Sequence, residues 1–535
     1  MKPILSKSLT SLILGMVIVP STQATTKKTK EPEKGNLLFI LVDQLRFDAL
    51  SCTGNKVIKT PNLDRLANEG VLFRTAYTSC AVSVPARASL LTGCTIYNTG
   101  ITGNSVCYES KQQLTGKEPI YNLRTYDEVL IKNGYKGEYY GKWHSPEFRA
   151  YAYQNRPIGA AGTASHPNLG TGLSGIYSEW LKKVAPKKIQ KPGDIFYKPM
   201  ERYYAPDPLD PEYGGKKSNL KGETYSIGEL RVNKDQTRMA MDSKSVIDAI
   251  ERLKNNPFTI HCSYGPPHPP LLVCGEYRSL LDPDAMPLVS NFESRENESP
   301  YIGNIRRSKY FQDPSTLKYM IRNYWAMVKE LDDWMGVVLA TLEKEGVKDK
   351  TMIVFVADHG EMLGSHGLNG KFNFYDEAAR VPFIISYPQK IKGGKVVDAP
   401  VNTFGVYATI LDYLDIKEMS QTPDEPSLRR FIENPKGIKN AFAITECASD
   451  VIPGEMIRTS EWKLMVGRSP ESKSTDALYD MVNDPLETKN LLFAKNYQSY
   501  LPIANELKTK LADHLKSIKS PYAEGVSQRT LTTRK

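Results

Sequence analysis

Beyond its first two dozen residues the chain has no apolar run long enough to cross a bilayer, so stable insertion into a membrane by a helix is not expected. Cysteine is sparse and scattered: the seven, at positions 52, 80, 94, 107, 262, 274 and 447, form no CxxC pair. That argues against a zinc cluster and against a dense disulfide framework, while leaving room for one or two bridges in an exported protein. Internal repeats are absent too, which sets aside solenoids and propellers. Only seven histidines occur in 535 residues, so their placement carries information.

The start, MKPILSKSLTSLILGMVIVPSTQA, has lysines, an apolar stretch from Leu9 to Val19 and small residues before Thr25. It reads as a cleaved secretory signal peptide over residues 1–24, and the charged TTKKTKEPEKG reads as a linker over 25–35. The protein is therefore expected to be exported, to the periplasm or outside the cell. The net charge of +10, or +8 without Lys2 and Lys7, favours an anionic substrate, although most of the lysines suit a solvated surface. Nucleic acid is not expected as a partner.

With 40% hydrophobic residues the chain has enough apolar material for one large α/β core and a smaller unit. Strand-like NLLFILV, VLFRTAYT, YKGEYYG, PFTIHCSY, TMIVFVA and VPFIISYP are interleaved with helix-like segments. These include PNLDRLANEG, with proline at its start and glycine at its end, TYDEVLIKNG, MAMDSKSVIDAIERLK, a helix from about Pro314 to Glu345, and TFGVYATILDYL. Repeated βα units of this kind predict an α/β fold, a mostly parallel sheet sandwiched by helices on both faces, over residues 36–435. Between about 145 and 235 the pattern lapses into a Tyr-, Gly-, Pro- and Lys-rich insertion, the usual setting of substrate loops. Shorter strand-like pieces, NAFAITEC, MIRTSEWKLMV and DALYDMV, and an amphipathic helix then indicate a C-terminal α+β subdomain over 436–519, followed by a basic, frayed tail over 520–535.

In open α/β sheets, ligands bind beyond the carboxyl ends of the strands. The residues just after the apolar runs are Asp43 and Gln44, then Ser83, Pro85 and Arg87, Lys142 and His144 in GKWH, His268 in GPPHPP, Asp358 and His359 in ADHG, and His366 and Lys371 in GSHGLNGK. Asp43, Gln44, Asp358 and His359 supply hard oxygens and one imidazole from two separate strands. That set suits Ca2+, which tolerates mixed ligation, with Mg2+ as the alternative. Either aspartate alone also suits a turn cap; the two together are harder to explain that way. In SVPARASLLTG, Pro85 fits a first helical turn, so Ser83 stands beside free backbone N–H groups and Arg87 one turn further on, an arrangement for an anion. A plain cap and a surface ion pair fit the same residues.

SVPARASLLTG resembles the signature of type I sulfatases: a cysteine or serine two residues before proline and four before arginine, with leucine and glycine following. NLLFILVDQLRFDAL, PNLDRLANEGVLF, GKWH, PPHPP, VADHGEMLGSHGLNGK and DALYDMVNDPLETKNL resemble the other blocks of that family in its order, from about Asn36 to Leu515. The resemblance implies an alkaline-phosphatase-like fold and a serine-type enzyme in which a formylglycine-generating maturation enzyme oxidises Ser83 to 3-oxoalanine (formylglycine). It implies that the metal, with Ser83 among its ligands, acts with Arg87 and Lys142 to activate a hydroxyl of the hydrated aldehyde. Lys142 and Lys371 would cradle the sulfate, His268 would protonate the leaving alcohol, and His144 would deprotonate the second hydroxyl so that sulfate leaves. His366 fits a substrate contact or a loop-stabilising residue.

Many relatives have two successive aspartates where this chain has Asp43–Gln44, and many have asparagine where His359 stands, so the metal site carries one fewer negative charge here. A sulfated carbohydrate cleaved at chain ends is the expected substrate. A phosphoesterase or phosphonate monoester hydrolase, and an inactive sulfated-glycan-binding protein, are the alternatives.

Overall fold

Apolar runs of seven residues, Asn36–Val42, Phe258–Tyr264 and Thr351–Ala357, are buried along their whole length, which an extended strand achieves only in the middle of a sheet covered on both faces. The computed structural model describes residues 34–104, 123–145, 176–185, 227–230, 232–292, 314–417, 419, 421–447 and 453–534. The expected signal peptide, most of the linker and most of the 145–235 insertion lie outside them. Numbered along the chain, the central strands are β1 (Asn36–Val42), β2 (Val71–Phe73), β3 (Lys136–Gly141), β4 (Phe258–Tyr264), β5 (Thr351–Ala357), β6 (Phe383–Ser386) and β7 (Lys395–Val397). Their order across the sheet is β7-β2-β6-β5-β1-β4-β3.

Strand β1 runs parallel to both β4 and β5, with Leu38 level with Ile260 and Ile353, and β3 runs parallel to β4. Only β6 is antiparallel to its neighbours. Two groups of helices cover the sheet. Helices α1 (Pro61–Glu69), α4 (Arg238–Leu253) and α5 (Pro314–Lys344) pack on one another, as do α2 (Ser83–Thr92), α3 (Tyr126–Lys132) and α6 (Val406–Tyr413). The fold is thus the α/β sandwich expected, and no helix among the described residues is long and apolar enough to cross a membrane.

Three expected strands are divided. VLFRTAYT splits at Arg74, which turns out to pair with Asp398; Ala76–Tyr77 then joins a second, three-stranded sheet. VPFIISYP splits at Pro382, which has no N–H to offer a ladder. MIRTSEWKLMV likewise becomes a hairpin, because Thr459 and Trp462 close a turn around the polar Ser460 and Glu461.

The C-terminal strands β8 (Ala443–Cys447), β9 (Gly454–Arg458), β10 (Trp462–Val466) and β11 (Ala477–Asp480) form an antiparallel meander. Their alternation serves two cores. Ile457, Leu464 and Leu478 face Leu507, Leu511 and Leu515 of helix α7 (Leu501–Ser517), whereas Met456, Met465 and Tyr479 face Met362, Phe374 and Ala378 of the main unit. Lys463, fully buried, joins this second interface by bridging Asp376 and Glu487 at 2.7 Å each. Removing the ammonium leaves the buried Glu487 without its cation and Asp376 with Arg380 at 3.3 Å, so Lys463→Met is expected to lower stability by about 3 kcal/mol in urea titrations. A loss below about 1 kcal/mol would show the carboxylates to be solvated.

The tail from Ser520 does not fray as expected. Ala523–Gln528 is helical, and Arg529 is buried against Asp476 at 2.8 Å and the carbonyls of Ser469 and Ser472. Its positive charges read as solvent-facing, but Arg529 meets a buried carboxylate, and Val526 and Leu531 join the α7 core.

Another buried carboxyl makes the fold pH-sensitive. Glu330 of α5 contacts Thr237, the residue that caps α4, and burial pushes its pKa up to about 8, Asp333 and Glu276 adding to the effect. Its folded pKa lies above the unfolded value, so the native state holds a proton that the unfolded chain releases. Stability therefore falls between pH 4.5 and 8, by at most about 1.4 kcal/mol per pH unit. Glu330→Gln is expected to flatten that fall in denaturation midpoints taken at pH 5 and pH 8.

Candidate active site

Four adjacent strands, β5-β1-β4-β3, end on one edge of the sheet, and each delivers polar side chains there. Strand β5 leads to Asp358 and His359, β1 to Asp43 and Gln44, β4 carries Ser263 and leads to His268, and β3 leads to Lys142 and His144. Gly141 makes the last exit feasible: it has φ 90, a Cβ there would lie 2.1 Å from the Ser263 carbonyl oxygen, and the N–H of Lys142 donates to that same oxygen at 2.7 Å. Gln44 also sits in the left-handed region, at φ 63; its N–H donates to Asp358 Oδ1 at 3.0 Å and its carbonyl accepts from Tyr324 of α5 at 2.7 Å. Helix α2 is buried from Ser83 to Thr92, which places its N-terminus inside the protein.

Ser83 Oγ lies 2.8 Å from His359 Nε2 and 3.5 Å from Lys371 Nζ, and the same ammonium donates to Gln44 Oε1 at 2.7 Å. The Arg87 guanidinium donates to Asp43 Oδ2 at 2.9 Å, Asp358 Oδ2 at 2.8 Å and Ser263 Oγ at 2.8 Å, with all four residues buried. Lys142 Nζ reaches Asp43 Oδ2 at 2.6 Å. Asp43 Oδ1 is buried and accepts no hydrogen bond; the imidazole Nε2 atoms of His359 and His268 stand 3.9 and 4.0 Å from it.

These positions test the expected metal site. Ligand atoms of Asp43, Asp358 and His359 all lie within 4.8 Å of one another, the one such group among the described residues. His359 Nδ1 is engaged with the Gly360 carbonyl at 3.0 Å, so Nε2 keeps its lone pair. An orphaned carboxylate oxygen, a second carboxylate and an available imidazole nitrogen are the donor set of a hard divalent cation.

A family profile described as Sulfatase matches residues 35–416, and a second, described as N-sulphoglucosamine sulphohydrolase, C-terminal, matches 364–517. The chain belongs to the sulfatase family. It is 28% identical to an ulvan-active sulfatase of Formosa agariphila, over 91% of this chain and 82% of that one. It is 25% identical to an N-acetylglucosamine-6-O-sulfatase of Bacteroides thetaiotaomicron, over 96% and 93%. Among solved structures, a phosphonate monoester hydrolase of Agrobacterium radiobacter superposes with a TM-score of 0.68 at 22% identity, over 91% and 96%, a likeness of fold. The protein is thus a sulfuric ester hydrolase, of a family that generally uses a metal ion and formylglycine.

Charge at this sulfatase site follows from burial. Burial opposes ionisation of Asp43, yet Lys142, His268 and Arg87 hold its carboxyl well below the usual range. Burial pushes the Lys371 ammonium down to about 8, with Asp43 opposing and Lys142 adding. His268 and His144 are both driven well below the ordinary histidine value, by burial first and the neighbouring Lys142 second. His268 Nδ1 is tied to the Pro269 carbonyl at 2.6 Å, which turns Nε2 toward Asp43.

Two residues stand differently from expectation, and the structure places a third. Arg87, expected to help bind the anion and activate the nucleophile, directs three of its five N–H donors to Asp43, Asp358 and Ser263, so its charge also fixes the carboxylates. Gln44, expected as a ligand, holds Lys371 and Glu361 with its amide. His366, expected as a substrate contact or a loop-stabilising residue, is interior, stacked on Tyr375 with ring centroids 4.0 Å apart and 3.1 Å from Asn291.

Sequence reasoning missed Ser263 and Glu361. Glu361 is buried, contacts Gln44 and accepts the N–H of Leu363 at 2.9 Å, while Arg46 holds the carbonyls of Glu361 and Met362. A carboxylate three residues after Asp358 was the available signal for Glu361. Ser263 ends an apolar strand, and only the arrival of Arg87 gives it a role.

Proposed function

We propose that the protein removes sulfate from a sulfated saccharide, at a chain end, with Ser83 oxidised to formylglycine and Ca2+ held by Asp43, Asp358 and His359. Ser83 carries this reading: its Oγ stands 2.8 Å from His359 and 3.5 Å from Lys371, at the buried N-terminus of α2. The cation would supply Lewis acidity toward the sulfate and toward an oxygen on residue 83, and the hydrated aldehyde would supply one hydroxyl for attack and a second for release of sulfate.

The remaining steps belong to side chains of the chain itself. Lys142 reaches Asp43 and Lys371 reaches Ser83, and their ammonium groups neutralise sulfate oxygens as charge moves to the leaving group. His268, with Nδ1–H donating to the Pro269 carbonyl, is the acid for the leaving alcohol once the negative charge of the bound sulfate draws a second proton onto Nε2. His144 takes the proton whose loss releases sulfate. Arg87 keeps the two carboxylates in register and is a positioning residue.

Burial supports chain-end action. Asp43, Ser83, Arg87, Asp358 and His359 are all enclosed, so the scissile group must enter a pocket. The relatives named for ulvan and for N-acetylglucosamine 6-sulfate, together with the basic net charge, support a saccharide. Residues 1–24 are read as a signal peptide that sends the protein to the periplasm or beyond, with maturation of Ser83 before or during export.

Mass spectrometry of the peptide containing residue 83, from protein made in its native host, is the direct test of maturation: two hydrogens fewer than serine are expected. Unmodified serine alone would overturn the formylglycine reading. A panel of sulfated saccharides with aryl sulfate and aryl phosphate, before and after chelation and re-addition of Ca2+, tests the rest. Marked preference for phosphate, or activity indifferent to chelation, would sink it.

A further inference from the structure

Phe372 directly follows the lysine that touches Ser83, and it is out of place by two ordinary rules. Its backbone lies at φ 75, a region that strains a residue with a bulky side chain by about 1–3 kcal/mol, and it is 40% exposed, the one aromatic of the seven large apolar side chains left open among the described residues. Nor is this segment loose. The Phe372 N–H donates to the Ala81 carbonyl at 3.2 Å, two residues before Ser83, and Lys371 is anchored on Gln44 and Ser83. The strained position is thus tied to the active site by its own N–H and by the preceding lysine.

Among the described residues that meet at Asp43 and Ser83, those that reach solvent do so modestly: the side chains of Lys142 and His268 are 15% and 24% exposed. Phe372, the next residue after Lys371, is 40% exposed. An aromatic ring left in water contributes little to folding, and a glycine at the same φ would carry no strain. What an open ring offers beside a sulfate cradle is a flat apolar surface for the C–H face of a sugar.

We propose that Phe372 is the platform on which the substrate's sugar ring stacks, a specificity-determining residue that recognises the saccharide while the lysines and the metal recognise the sulfate. This rests on the saccharide reading above. The expected signature is a split between binding and turnover. With a sulfated saccharide that the wild type cleaves, Phe372→Ala raises KM about tenfold and lowers kcat less than about threefold, the loss of roughly one aromatic contact. Inhibition by inorganic sulfate stays at the wild-type level, and Phe372→Trp restores KM. Phe372→Gly raises KM as alanine does yet melts at or above the wild-type temperature, because glycine relieves the strained φ.

Binding without turnover is read in Ca2+-loaded Ser83→Ala protein, where the thermal shift produced by the same saccharide disappears on adding Phe372→Ala. Unchanged KM and an unchanged thermal shift in the alanine variant would overturn the platform. So would joint weakening of saccharide and inorganic sulfate with a lowered melting temperature, which marks a residue that props the loop. Wild-type protein that cleaves aryl sulfate but no sulfated saccharide overturns instead the reading on which the platform rests, and is recognised before any variant is made.

Discussion

Ser83→Ala is expected to lower kcat by about 10^4-fold or more while leaving the melting temperature close to that of the wild type, because a nucleophile that acts with its partners as a unit takes nearly all of the chemistry with it. The fold has little reason to notice. Ser83 sits in a fully buried helix, but its hydroxyl bonds only His359 and, weakly, Lys371, and alanine suits the first turn of α2. Steady-state hydrolysis of an aryl sulfate together with a thermal melt checks both halves. A variant that keeps a tenth of the wild-type rate would place the nucleophile elsewhere.

Arg87→Met carries the second large effect, and it runs through stability as well as rate. Three of the guanidinium's donors go to Asp43, Asp358 and Ser263, all buried. Without it, two carboxylates face each other with Lys142 as the remaining close cation on Asp43. In protein stripped of divalent ions the loss is expected to be about 3–5 kcal/mol, the cost of leaving buried charge uncompensated. Added Ca2+ should then raise the melting temperature of the variant more than that of the wild type, because the cation takes over part of the neutralisation. Catalysis stays low even with metal, since the carboxylates lose their fixed spacing. Equal melting of stripped variant and wild type would mean that the carboxylates reach water, and the site would have to be redrawn.

How far the sequence could be read depended on the range of the forces involved. The strands β1, β4 and β5 were legible because a seven-residue apolar run has few stable places other than the middle of a covered sheet. Helix α1 announced itself through Pro61 and Gly70, and the catalytic residues through their position at the exits of strands. The divided strands were harder. Pro382 was a visible breaker, but the break at Arg74 exists because Asp398 and a second sheet receive the chain there.

The tail shows the same limit from the other side. Lysine, arginine and threonine near a terminus read as solvated, and nothing local says that Arg529 will meet Asp476 some fifty residues earlier in the chain. Arg87 was legible as a cation near Ser83, yet its task, gripping two carboxylates from β1 and β5, depends on where those strands end relative to α2.

By itself, then, the sequence determined the elements and the chemical inventory of this sulfatase: a parallel α/β core, a serine at a helix start, and aspartates, lysines and histidines at strand ends. Those follow from hydrophobic period and turn chemistry, which act over a few residues. Tertiary structure alone decided which oxygen of Asp43 stays unpaired, that Arg87 clamps the carboxylates, that His366 is interior, and that Phe372 is strained and open beside Lys371. Such contacts join residues tens to hundreds of positions apart. Their energies depend on burial and on distances of a few ångströms, and both exist only once the strands are side by side.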